Sequence, residues 1–119
     1  MIYVCGMEII LTDLPKISLN KWNAGMHWTK RKKIKDTYTL MVKSQFNKIL
    51  PKADQYETEY HFTFKSRALD ASNCVAMVKM IEDIIFEDDS YKIIKSILIS
   101  SSKGLRDELK IKIKKSVGI

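Results

Sequence analysis

From Tyr56 to Phe64 the residues alternate without a break, with Tyr56, Thr58, Tyr60, Phe62 and Phe64 on one side and Glu57, Glu59, His61 and Thr63 on the other. A period of two sends successive side chains to opposite faces, so this stretch predicts a β-strand with one face in a core and the other in water. Such a strand needs neighbours and a covering layer. Near the C-terminus Leu109, Ile111 and Ile113 alternate with Glu108, Lys110, Lys112 and Lys114, a final strand whose outer face is wet and basic. Residues 7–11 are a short apolar run ended by Thr12, Asp13 and Pro15, which reads as a first strand followed by a loop. Residues 91–100 are rich in isoleucine at both parities and predict a central strand covered on both faces, closed by a turn at Ser101, Ser102, Lys103 and Gly104.

Two helices supply the cover. One is expected to begin near Thr29, its plausible N-cap, and to end before Pro51, with Ile34, Tyr38, Met41, Val42 and Ile49 on one broad face and Lys32 and Lys43 roughly opposite. The other is expected over residues 73–85, where Cys74, Met77, Val78, Ile81 and Ile85 form the core side and Ser72, Ala76, Lys79 and Asp83 the opposite side. Residues 17–26 lack helical period and read as a loop; buried ties to the core are the structural reading of Trp22 and Trp28. The order β-α-β-α-β-β, without repeats, predicts a single α/β (α+β) domain with a mixed sheet backed by two helices. At 119 residues the chain can bury a core without disulfides. Cys5 and Cys74 have no metal-ligand spacing, and Cys74 reads as a reduced core thiol, which points to an intracellular compartment. The opening residues have no basic region and too short an apolar run for a signal peptide or a spanning helix.

Charge is unevenly distributed. The formal net charge is +7. Lys30, Arg31, Lys32, Lys33, Lys35, Lys43, Lys48 and Lys52 are opposed across their stretch by Asp36 alone, whereas Glu82, Asp83, Glu87, Asp88 and Asp89 reverse the sign. Cations in the first turn of a helix oppose its dipole, and a bound phosphate relieves that conflict. A solvated helix is also basic, so the pattern is compatible with either a phosphate-binding or a merely wet face.

Residues 67–90 bring carboxylates, amides and a lysine around the second helix. Asp70 precedes it and Asp88 and Asp89 follow it, a set of hard oxygen donors that suits magnesium or manganese where the groups converge. Ordinary structural roles compete at each position: Asp70 or Ser72 as a helix cap, Lys79 and Asp83 as an exposed i,i+4 ion pair, and Asp88 with Asp89 as a solvated turn.

The sequence Asp70-Ala71-Ser72-Asn73, then Lys79 and Asp83 on a helix, then Asp88-Asp89 before a strand, resembles the RusA-like family of phage-type Holliday-junction resolvases. Ser72 stands where that pattern has a second aspartate, and Lys79 falls about one helical turn late. The resemblance implies a RusA-like fold and a homodimer that cuts four-way DNA junctions with Mg2+, or with Mn2+. It implies Asp70, Asp88 and Asp89 as metal ligands and Asp70, Lys79, Asp83 and Asp89 as catalytic residues. For DNA contact it implies Asn20, Lys30, Arg31, Lys32, Lys33, Lys35 and Asn73, with Trp22, His27 and Trp28 nearby. A resolvase-like DNA-binding protein that has lost cleavage is the alternative, because Ser72 removes a ligand.

Overall fold

The structure is a computed structural model and describes residues 6–46, 49–50, 53–86 and 92–116. It is an α+β fold built on a four-stranded mixed sheet. The strands are β1 (Gly6–Thr12), β2 (Tyr56–Phe64), β3 (Ile94–Lys103) and β4 (Glu108–Lys115), in the spatial order β1-β4-β2-β3. The alternating stretch Tyr56–Phe64 is strand β2 over its full predicted length. The last strand lies centrally: β4 pairs antiparallel with β1 on one side and with β2 on the other, so Ile111 faces Ile9 and Tyr60. Its apolar residues Leu109, Ile111 and Ile113 are accordingly buried.

β2 and β3 run parallel, a pairing that requires a crossover connection. A short 3-10 turn (Ala71–Cys74) and helix α3 (Val75–Ile85) provide it. The predicted core side of this helix is buried in full, from Cys74 through Ile85. Ala76, expected on the outer side, is buried too, as are Met80 and Glu82. The buried arc is wider than one stripe because α3 touches helices α1 (Leu19–Asn23) and α2 (Trp28–Gln45) as well as lying in the core.

The structure corrects several expectations, among them the turn expected at Ser101–Lys103, which continues strand β3. The loop predicted over residues 17–26 contains α1, a five-residue helix started by Ser18, whose hydroxyl accepts from the Lys21 N–H at 3.1 Å. Gly25, at φ +77°, then turns the chain into α2. Helix α2 is capped by His27, not Thr29: the ring Nδ1 accepts from the Thr29 N–H at 3.2 Å. The helix ends at Gln45 because Phe46 takes an extended conformation while its N–H still reaches the Val42 carbonyl at 2.7 Å. Ile49 is therefore off the helix and exposed, whereas Tyr38 and Val42 fill the core as predicted. Finally, β3 is an edge strand and not a central one, and Ile97 and Leu98 stay 43% and 50% exposed. The isoleucines at both parities mark a strand with an open side.

The two sheet edges differ. On β1, both outward groups of Thr12 are taken by Gln45, whose Oε1 accepts from the Thr12 N–H at 2.7 Å and whose Nε2 donates to the Thr12 carbonyl at 3.1 Å. The face of the sheet away from the core is charged. Glu8, Glu57, Glu59 and His61 meet Lys110, Lys112 and Lys114 across the strands.

Candidate nucleic-acid interface

Helix α2 gathers the cations. Its first turn holds no acidic residue; Lys30, Lys32 and Lys33 are exposed around an open concavity bordered by Thr29 and Asp36, and Lys35 is exposed outside it. Lys32 and Asp36 approach to 3.5 Å, an exposed i,i+4 pair of small worth. Arg31 behaves differently from the lysines beside it. Its Nη2 donates to the Trp22 carbonyl at 2.6 Å, and its guanidinium lies 5.2 Å from the Trp22 ring, with Lys35 Nζ at 5.9 Å. Arg31 thus fastens α1 to α2. Trp22 packs against the core, in line with its structural reading, but Trp28 is 69% exposed beside His27, with 5.8 Å between ring centroids.

Asn20 lies on α1, which packs against both the 3-10 turn and α3, so the segments carrying Asn20 and Asn73 come together. The turn ahead of Asp70 is pinned twice. Lys16 Nζ donates to the Arg67 carbonyl at 2.7 Å, and the Ser101 hydroxyl donates to the Leu69 carbonyl. Asp70 occupies the N-cap position of the 3-10 turn, yet its side chain makes no cap hydrogen bond; the backbone alone closes the turn, from the Asn73 N–H to the Asp70 carbonyl at 2.9 Å. The α3 cap position falls to Cys74, also without a side-chain bond, so Ser72 caps neither helix. Capping therefore does not occupy the Asp70 carboxylate, which is exposed. Burial, with a further contribution from Asp70, pushes the Cys74 thiol up to about 11 against an opposing hydrogen bond from Ser101, so this cysteine is a neutral core thiol.

Lys79 and Asp83 are both exposed and one turn apart on α3. Thirteen residue steps, four through the 3-10 turn and nine along α3, separate Asp70 from Asp83 by roughly 20 Å, so those two carboxylates do not meet on one ion. Asp88 and Asp89 lie outside the described residues. The chain leaves α3 through Phe86, whose ring lies 5.5 Å from that of Tyr56, and it enters β3 after Ile93, whose carbonyl accepts from the Tyr56 N–H at 2.7 Å. Asp70, in contrast, is held near Ser101, which pairs with Phe62. Among the described residues no three His, Cys, Asp or Glu side chains are grouped to hold a metal ion.

Two features escape a reading of the sequence. Glu82, which the sequence groups with the surface acids, is 1% exposed, and this leaves Asp83 as the described acidic residue at the end of α3 that faces water. On the charged sheet face, His61 Nδ1 lies 2.5 Å from Ser100 Oγ and His61 Nε2 lies 2.8 Å from Glu59 Oε1, while Lys114 donates to Glu59 Oε2. The Lys114 and His61 bonds together hold the Glu59 carboxyl down at about 2. The i,i+2 spacing of Glu59 and His61 is the visible signal; the Ser100 partner depends on strand register. No protein-family model and no curated protein matches the chain. No helix among the described residues is long and apolar enough to cross a membrane.

Proposed function

We propose that the chain is a DNA-binding protein of the RusA-like kind, a metal-dependent endodeoxyribonuclease acting on four-way junctions as a homodimer. The observation that carries this reading is the Asp70 carboxylate: exposed, uncommitted to a cap, and fixed on a doubly pinned turn that packs on α1, which Arg31 ties to the basic start of α2. Lys30, Lys32, Lys33 and Lys35 hold backbone phosphates, with Asn20 and Asn73 alongside, and Arg31 keeps α1 and α2 in place behind them.

Magnesium is commonly held by one or two carboxylates together with substrate phosphate oxygens, and Asp70 has the donor chemistry for it. In this reading Asp70 would be the described carboxylate ligand, with Asp88 and Asp89 assigned to the metal by the resemblance alone, and a bound ion would neutralise charge at the phosphate being cut. Lys79 and Asp83 flank the substrate further along α3. The RusA-like resemblance supplies the reaction, the metal and the junction.

A second reading, DNA binding without cleavage, is favoured by Ser72 and by the distance between Asp70 and Asp83. Cleavage of a four-way junction with Mg2+ or Mn2+ separates the two readings. Asp70→Asn is expected to abolish cleavage and leave binding equal or tighter, and Ser72→Asp is expected to raise cleavage. No cleavage by the native chain and none by Ser72→Asp would leave DNA binding alone.

A further inference from the structure

Strand β3 presents an apolar edge whose register is written in its own sequence. The Gly104 N–H donates to the Phe64 carbonyl at 2.9 Å, and the Ser96 carbonyl accepts from Thr58 Oγ1 at 3.2 Å. Even-numbered residues from Ser96 to Gly104 therefore turn their backbone groups towards β2, and alternation turns those of Ile97, Ile99 and Ser101 outward. Side chains alternate as well: Ile97 and Ile99 lie with Thr58 and Tyr60 on the helix-covered face, and Leu98 lies with Glu59 on the charged face. An edge of this length with exposed Ile97 and Leu98 is a template for another strand. The β1 edge, by contrast, is clipped by Gln45 at its last residue, Thr12.

We propose that the occupant is a second copy of this chain, β3 against β3, antiparallel about a two-fold axis through Leu98. This takes up the dimer of the preceding reading and names its surface, but its grounds lie in β3. A two-fold axis normal to the sheet keeps each face on the same side, so a residue can face only residues of its own parity. Centred on Leu98, the strand sets Leu98 against Leu98, Ile97 against Ile99 and Ser96 against Ser100. Centring on Ile99 would set Leu98 against Ser100 and Ile97 against Ser101, and centring on Ile97 would set Leu98 against Ser96. Only the Leu98 axis matches apolar with apolar and hydroxyl with hydroxyl, with no lysine facing another. The irregularity between the Tyr56 and Glu57 pairings and the charge of Lys103 bound the run at its two ends. The outward groups of Ile97 and Ile99 then pair with each other across the axis, and the sheet becomes eight-stranded with all helices on one face. The two Ser101 residues, each anchoring an Asp70 turn, come to lie six residue steps apart along the seam, roughly 20 Å.

Sedimentation of the full chain at micromolar concentration is expected to give a dimer, and Leu98→Lys to weaken it about a hundredfold or more, since like charges then oppose each other across the axis. Ile97→Pro, which removes an outward N–H and leaves the β2 ladder intact, is expected to act in the same direction. In a Cys5→Ser background, Leu98→Cys should form an intermolecular disulfide on mild oxidation. Ser96→Cys should do so only when mixed with Ser100→Cys. A native chain that remains a monomer, a Leu98→Lys dimer of native strength, or a Leu98→Cys chain that does not cross-link overturns the proposal. Should Leu98→Lys fail to fold, judged by circular dichroism, the cross-linking pattern decides. Retained DNA binding by a monomeric Leu98→Lys chain would keep the α2 reading standing whatever becomes of the dimer.

Discussion

The two long helices divide the work of the molecule. Helix α3 buries seven of its eleven residues, including Glu82, whereas α2 buries only Tyr38 and Val42 along eighteen. A helix enclosed on several sides has few positions open to a ligand, so Lys79 and Asp83 stand out on α3 because so little else is exposed. A helix touching the core along one narrow stripe presents a broad outer surface. On α2 that surface begins with cations that its own dipole disfavours. Burial concentrates on α3, and α2 keeps the larger exposed surface.

Truncating one apolar side chain on each helix tests this division most strongly. Ile81→Ala in α3 is expected to cost about 2–5 kcal/mol of unfolding free energy in urea titration. Leu40→Ala in α2, at a side chain 73% exposed, should stay within about 0.5 kcal/mol. A comparable cost at both sites would mean that the outer face of α2 is covered.

Acid titration probes a third region, the charged sheet face. Glu59 titrates at about 2 when folded and near its ordinary value of 4.5 when unfolded, chiefly through the Lys114 bond and then the His61 bond. Its folded value is the lower one, so its contribution is fully present above about pH 4.5 and is lost as the pH falls towards 2. Glu59→Gln should flatten stability over that window, measured by thermal unfolding at stepped pH, and leave the helices unaffected. An unchanged pH profile would show that the Lys114 and His61 bonds do not persist in solution.

Smaller still, and within α2 itself, Arg31→Ala should cost about 1 kcal/mol by releasing Trp22, whereas Lys33→Ala should be neutral for stability. For DNA affinity the order should reverse, with Lys33 the more sensitive position in filter binding.

Much of the fold is legible wherever one periodicity runs uninterrupted. β2 and β4 alternate so strictly that strand, face and burial all follow, and the core side of α3 follows from its 3.6-residue repeat. What stays hidden depends on distant partners. Five residues are too few to show a helical period, so α1 reads as loop. Helix α2 stops where Phe46 turns extended and Gln45 reaches across to Thr12, and neither shows in local pattern. The isoleucines of β3 look the same whether helices or a second chain cover them. Ser100 meets His61 only through parallel register. The uncommitted state of the Asp70 carboxylate requires the structure, because the sequence alone allows it to be a cap.

The assignment of recognition to α2 is tested most directly by the salt dependence of DNA affinity, measured for the native chain and for a variant with Lys30, Lys32, Lys33 and Lys35 all changed to alanine. Each phosphate that the variant no longer neutralises should reduce the slope of log affinity against log salt by about 0.9, so four such phosphates give a reduction of roughly 3–4. A slope that is the same in both proteins would contradict the account and leave α2 as a solvated face.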